Sequence, residues 1–227
     1  MQLAAHYDAL WQSSLQKFRQ NKFELDPLLE DQQDQRFGIT LLARLLPEVD
    51  ARVQQFLDAL RQVEPAQYYY PASDRHQTLL SIISCYQGFS LRQISVPDYV
   101  AVVQESLREV GPFAVELRGI TASPSCIMLQ GYPTDDSLGL LRNQLRKNFS
   151  ASGLEQTIDK RYAIITAHST VVRFVRPLQQ PDAFLDKLLL YKDVNFGTST
   201  ITEAELVYND WYQRQKHVKV LHRFRLR

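Results

Sequence analysis

The sequence predicts an α+β fold of two pseudo-symmetric lobes, with largely antiparallel sheets flanked by helices and a cleft between them. Three observations predict it. The chain has 227 residues, 44% of them hydrophobic, enough to bury a sizeable core. Its elements run twice in one order: helix, strand, helix, strand, strand. The early strand of each round opens on histidine, a spacer and threonine, in RHQTLLSII (75–83) and again in AHSTVVRF (167–174), 92 positions later.

The elements follow from periodicity. Residues 3–18 place Leu3, Tyr7, Leu10, Trp11, Leu15 and Phe18 on one helical stripe, and FELDPLLEDQQDQR (23–36) reads as an irregular polar connector. A strand follows at 37–44. After Pro47, a helix carries Val49, Val53, Phe56, Leu57, Leu60 and Val63 at helical spacing. The first histidine strand covers 75–84. Pro97-Asp98 opens a helix with Val103, Leu107 and Val110 on one face, which Gly111-Pro112 stops. Strands at 112–120 and 125–132 form a hairpin about Ser123-Pro124.

The order then restarts. A helix carries Leu138, Leu141 and Leu145, with Thr134 or Asp135 as its N-cap. The second histidine strand spans 162–174. Pro181-Asp182 opens a helix with Phe184, Leu185 and Leu188, and strands near 198–208 and 217–226 finish the chain. The expected organisation is an N-terminal helical extension (1–36) and a two-lobed domain (37–227), its intertwined lobes covering about 37–132 and 133–227. The strand at 37–44 is an extra that must pair within one lobe.

Composition narrows the function. Lys+Arg number 26 against Asp+Glu 25, so no global field advertises a nucleic acid or acidic partner. Two cysteines, Cys85 and Cys126, form no disulfide framework and suit a reducing compartment. The first residues lack the pattern of a signal peptide, and no apolar run approaches the roughly 20 residues a membrane span needs. The expectation is a soluble, cytoplasmic protein without membrane contact.

The doubled motif carries the chemistry. On a strand, positions i and i+2 point to one side, so His76 and Thr78 face together, as do His168 and Thr170. Each pair sets an imidazole, which exchanges protons near pH 6.5, beside a hydroxyl that can bond a phosphate oxygen. Facing each other across a cleft, one histidine would act as base and the other as acid, while the threonines hold the phosphorus. Such a device needs no metal and no cofactor when the substrate is a singly charged phosphodiester. With five histidines and ten threonines in the chain, chance supplies well under one such motif, let alone two at matching places. Taken singly, either histidine reads more plainly as a satisfied core residue; the pair favours function.

These residues resemble the two-histidine phosphoesterase superfamily, whose founding group is the LigT-like bacterial RNA ligases. The resemblance rests on RHQTLL (75–80), AHSTVV (167–172), FAVELRGI (113–120), LVYNDWY (206–212) and the element order from Phe37 to Leu226. It implies a bilobal fold and metal-independent cleavage of 2′,3′-cyclic phosphates, 2′–5′ linkages or small cyclic nucleotide phosphates. It also implies His76 and His168 as the catalytic pair, Thr78 and Thr170 as phosphate ligands, and a cyclic nucleotide phosphate or RNA end as partner. The N-terminal extension and the glutamine and serine spacers depart from better-known members. The alternative is a non-catalytic module that binds a nucleotide or RNA end in the same cleft.

Other residues are weaker candidates. Tyr68, Tyr69 and Tyr70 precede the first motif and Tyr162 the second. Alternation puts Tyr68 and Tyr70 on the histidine side if the strand stays regular past Pro71. Arg173 would pair with an anionic substrate, but strict alternation sets it opposite His168 unless a bulge intervenes. Tyr208 stands near a strand end in the stretch that carries the resemblance. The terminal KHVKVLHRFRLR (216–227) alternates apolar with basic residues, which fits an outer strand guarding its edge better than a nucleic-acid track. His76, His168, His217 and His222 lack any zinc-site spacing.

Overall fold

The structure, a computed structural model, describes residues 2–161 and 163–227. Tyr162 therefore lies outside the described residues. Among those described, five α-helices and nine strands form two antiparallel sheets. The helices are α1 (Gln2–Phe18), α2 (Pro47–Arg61), α3 (Val96–Leu107), α4 (Ser137–Ser152) and α5 (Pro181–Leu190).

The first sheet runs β3 (His76–Gln87), β1 (Arg36–Arg44), β8 (Glu203–Asp210), β9 (Lys219–Arg225). The second runs β2 (Tyr68–Tyr69), β6 (Ser169–Arg173), β5 (Cys126–Pro133), β4 (Phe113–Ser123), β7 (Asn195–Ile201). Each motif strand thus shares a sheet with the other half's hairpin: β3 with β8 and β9, β6 with β4 and β5. The extra strand β1 sits between β3 and β8, in the middle of its sheet.

Two hydrophobic cores hold the layers. One is built from β1, β3, β8 and β9 against α3 and α4, and includes Ile39, Leu41, Val103, Leu141 and Leu206. The other sets α1, α2 and α5 against the second sheet, through Trp11, Phe56, Leu129, Val172 and Phe184. Each sheet buries one face under helices because its inward residues alternate with those turned the other way. Thr40, Thr78 and Asn209 on the first sheet and Thr170 on the second lie on the faces left free, which border a common cleft.

Several expectations need correction. The segment expected as one strand near 198–208 is two strands in different sheets, β7 and β8, with Thr202 at the crossing. The apolar alternation slips there, since buried Ile201 and Ala204 are three residues apart, but no glycine or proline marks the change of sheet. The α4 N-cap position is Asp136, not Thr134 or Asp135; the Asp135 carboxylate accepts the Ser137 N–H instead, at 2.8 Å. The second histidine strand is only 169–173, so His168 stands just before it. The basic terminal strand β9 is an outer strand, with Lys219, Arg223 and Arg225 exposed.

Candidate active site

One cleft is lined by His76, Thr78, His168, Thr170, Tyr70 and Arg173, together with Arg161, Asn209, Trp211 and Tyr212. The two H-x-T motifs, far apart in sequence, therefore share one cavity, and the strands that bear them touch.

His76 opens β3. Its Nδ1 lies 2.7 Å from the Asp74 carbonyl oxygen, an atom that only accepts. Nδ1 therefore carries the proton in the neutral ring, and Nε2 keeps its lone pair. His168 has Nδ1 at 2.7 Å from the Thr166 hydroxyl, which can donate or accept. Burial pushes His76 down to about 4, against the opposing pull of the Asp74 carbonyl, with Arg44 and Arg173 adding to the push. His168 is likewise driven to about 4, first by burial and then by His76, Arg142 and Arg173.

Arg173 joins the cleft through a bulge. In the β5–β6 ladder, Ile127 pairs with Val172 but Met128 pairs with Thr170, so Val171 is the extra residue. The extra residue reverses the alternation and turns Arg173 to the side of Thr170. Its Nε donates to the Tyr70 hydroxyl at 3.0 Å, its Nη1 lies 3.3 Å from the Asp26 carboxylate, and its guanidinium sits 5.2 Å from the Tyr212 ring centre. The first motif strand is bulged too. Register shifts in the β1–β3 ladder leave Leu79 and Ile82 as extra residues, so Thr78, Ser81 and Ser84 face the cleft at every third position.

The tyrosines divide. Tyr70 lines the cleft, while Tyr68 lies in a separate depression with Asp74 and Arg214. Tyr68 and Tyr69 form the short edge strand β2 beside β6, rather than a backward extension of β3. Tyr208 is on the opposite face of its sheet: it stacks on Phe37 at 4.8 Å and donates to the Phe89 carbonyl at 3.3 Å. Its neighbour Asn209 is the one that faces the cleft, because alternate residues of β8 change sides.

Three neighbours of the cleft escaped the sequence reading. Arg142, 4% exposed, has no carboxylate partner among the described residues; it donates to the carbonyls of Leu79 (2.8 Å), Thr78 (3.1 Å) and Thr166 (2.7 Å). It thereby ties the backbones of both motifs to α4. The signal was present: Arg142 falls four residues after Leu138 and three before Leu145, on the apolar stripe. Asp26 reaches the cleft rim from the connector, accepting from Tyr212 at 2.7 Å. Trp211 holds two guanidinium groups near its ring, Arg161 at 4.5 Å and Arg36 at 4.9 Å, so the mouth is cationic and aromatic. Among the described residues, no three His, Cys, Asp or Glu side chains gather into a metal-ligating group, and no helix is long and apolar enough to cross a membrane.

No family model and no curated protein matches the sequence. Solved structures do match. Escherichia coli LigT complexed with 3′-AMP is 16% identical, with 85% of this chain and 99% of that chain covered and a TM-score of 0.58. A structure described as a phosphoesterase is 17% identical over 85% of this chain and 99% of its own, with a TM-score of 0.56. TT0787 of Thermus thermophilus is 19% identical over 84% of this chain and 98% of its own, with a TM-score of 0.54. The fold is that of LigT.

Proposed function

We propose that this chain is a metal-independent phosphodiesterase that acts on 2′,3′-cyclic phosphate or 2′–5′-linked (oligo)nucleotides by two-histidine acid–base catalysis. The observation that carries the reading is the shared cleft: two imidazoles with their Nδ1 atoms engaged, both motif threonines and Arg173 border a single space. With its Nδ1 engaged, each ring is oriented for proton transfer at Nε2. LigT crystallised with 3′-AMP supports a nucleotide phosphate as the occupant.

In hydrolysis of a cyclic phosphate, one Nε2 takes a proton from water as its oxygen bonds to phosphorus. The other Nε2–H gives its proton to the ribose oxygen as the P–O ester bond breaks. Thr78, Thr170 and Arg173 would bind the non-bridging oxygens, where charge builds in the transition state. The reverse geometry, with a 5′-hydroxyl in place of water, joins RNA ends. The roles of the two histidines depend on which way the substrate lies.

The test is hydrolysis of the four nucleoside 2′,3′-cyclic monophosphates with EDTA present, by wild type, His76→Ala and His168→Ala. Each substitution is expected to cut turnover by roughly 10²–10⁴-fold while the protein stays folded. Wild-type turnover in both variants would sink the assignment. Binding of 3′-AMP with no turnover of any substrate would favour the non-catalytic module.

A further inference from the structure

We propose that the N-terminal helix belongs to the catalytic apparatus, with the Tyr7 hydroxyl as a positioning group that holds His168 through the main chain of Ala167. The inference rests on the reading of His168 as catalytic.

The segment before β6 has no strand partner, yet three main-chain groups next to His168 are engaged by side chains. The Ala167 N–H donates to the Tyr7 hydroxyl at 3.2 Å. The Ala167 carbonyl accepts from Gln77 at 3.1 Å, and the Thr166 carbonyl from Arg142 at 2.7 Å. These bonds stand in for the ladder that the sequence predicted over 162–174. Two of the three come from the motif strand and from α4. The third comes from α1, on the other side of the second sheet.

Tyr7 uses its full capacity there. Its hydroxyl accepts from the N–H groups of Ala167 and Gly131 (3.3 Å) and donates to the Gly131 carbonyl at 3.1 Å. A phenol has one proton and two lone pairs, so nothing is left over. The ring is fully buried, edge-on to Tyr132 at 5.5 Å, and the Tyr7 carbonyl is itself held by the Thr121 hydroxyl at 2.9 Å. Burial raises the phenol to about 12, so it keeps the proton that it donates. Gly131 makes the arrangement possible, because a Cβ there would lie 1.9 Å from the Ala167 carbonyl oxygen. The hydroxyl thus clamps two chain segments one residue away from the second imidazole. Removing it leaves two buried N–H groups unpaired and frees Ala167 to shift.

Ser14 supplies a matched control. It lies on the same helix, is equally buried, and donates to the Ala122 carbonyl at 2.8 Å, about 10 Å along the helix from Tyr7. Both Tyr7→Phe and Ser14→Ala delete one buried hydroxyl from the same interface, but only the first touches Ala167.

The experiment compares the two variants with wild type, on a nucleoside 2′,3′-cyclic monophosphate and by NMR of the imidazole nitrogens. Tyr7→Phe is expected to lower kcat by roughly 10-fold or more with KM little changed, as displaced catalytic groups do. Its His168 resonances and titration should move while those of His76 stay, and Ser14→Ala should leave both unchanged. His168 signals in Tyr7→Phe identical to wild type would overturn the proposal, as would equal kcat losses in the two variants. Should Tyr7→Phe not fold, amide exchange in the wild type decides: the Ala167 N–H must be as protected as the β5 ladder, and fast exchange there rejects the contact. His168→Ala is assayed alongside. Full activity in that variant removes the two-histidine reading, while the NMR comparison still reports whether Tyr7 holds the ring.

Discussion

The Gln77 side chain donates to the Ala167 carbonyl at 3.1 Å, joining the spacer of one H-x-T motif to the residue before the other histidine. Gln77 points away from Thr78 and is 1% exposed, so the spacer is a structural link between the two strands. Replacing it with methionine keeps the bulk and removes the donor. Gln77→Met should cost about 1–3 kcal/mol of stability, measured by urea denaturation, because a buried carbonyl loses its partner. Turnover should fall about 10-fold as His168 loses its fixed distance from His76. Unchanged turnover would show that the link is dispensable.

Arg142 should be the more sensitive of the two bridges. Two of its three carbonyl acceptors lie in β3 and the third just before His168, and the side chain is only 4% exposed. Arg142→Ala leaves those carbonyls unpaired and opens a cavity, for an expected loss of roughly 3 kcal/mol or more. Arg142→Lys should recover only part of it, since one ammonium cannot match a planar fork. Thermal unfolding of the two variants beside wild type checks the ranking.

Gly131 should tolerate no side chain. With φ in no special region, its constraint is space: a Cβ would stand 1.9 Å from the Ala167 carbonyl oxygen and 3.1 Å from a Val115 methyl. Gly131→Ala is expected to push Ala167 and its histidine outward and cut turnover as strongly as Tyr7→Phe. Gly139→Ala, where nothing stands within 4 Å, should be silent in the same assay.

Acid should unfold the protein partly through its two cleft histidines. Each is held at about 4 in the folded state, against 6.5 in an unfolded chain. The unfolded state therefore binds the proton more readily. The stability involved is fully present above pH 6.5, is lost as pH falls from 6.5 through 4, and changes no further below that. The ceiling is about 3 kcal/mol for each ring. Urea midpoints at pH 7 and pH 4.5 should differ less in His76→Gln than in wild type; an equal difference would contradict the depressed value.

The same depression sets the order of the pH profiles. Catalysis needs one imidazolium and one imidazole, and an empty cleft resists the first proton. A bound phosphodiester brings a negative charge that favours it. The alkaline limb of kcat should therefore lie at higher pH than that of kcat/KM, which reports the free protein.

Much of this was legible in the sequence. Helical stripes located α1, α2, α3 and α5 to within a few residues, and the doubled motif pointed to two strands that meet. What escaped has physical causes. The bulges at Leu79, Ile82 and Val171 insert single residues without changing composition, so alternation misplaced Arg173 and could not foresee the three-residue rhythm of Thr78, Ser81 and Ser84. Tyr208 failed by one position of parity, with Asn209 facing the cleft in its place. The short extent of β6 was invisible because its missing partners are side chains of Tyr7, Gln77 and Arg142, from distant parts of the chain. Arg142 went unread, though its place on a leucine stripe pointed inward.

The central pairing of β1 with β8 has a consequence for how the molecule is made. Phe37 lies opposite Asp210, and Leu42 opposite Glu205, so the middle of the first sheet joins segments more than 160 residues apart. Closing so long a loop is slow, and it cannot begin until β8 has left the ribosome. Until then the apolar β1–β3 pair has an open side. During that interval the exposed apolar edge is expected to favour misassembly, so refolding yield should fall with rising temperature and protein concentration.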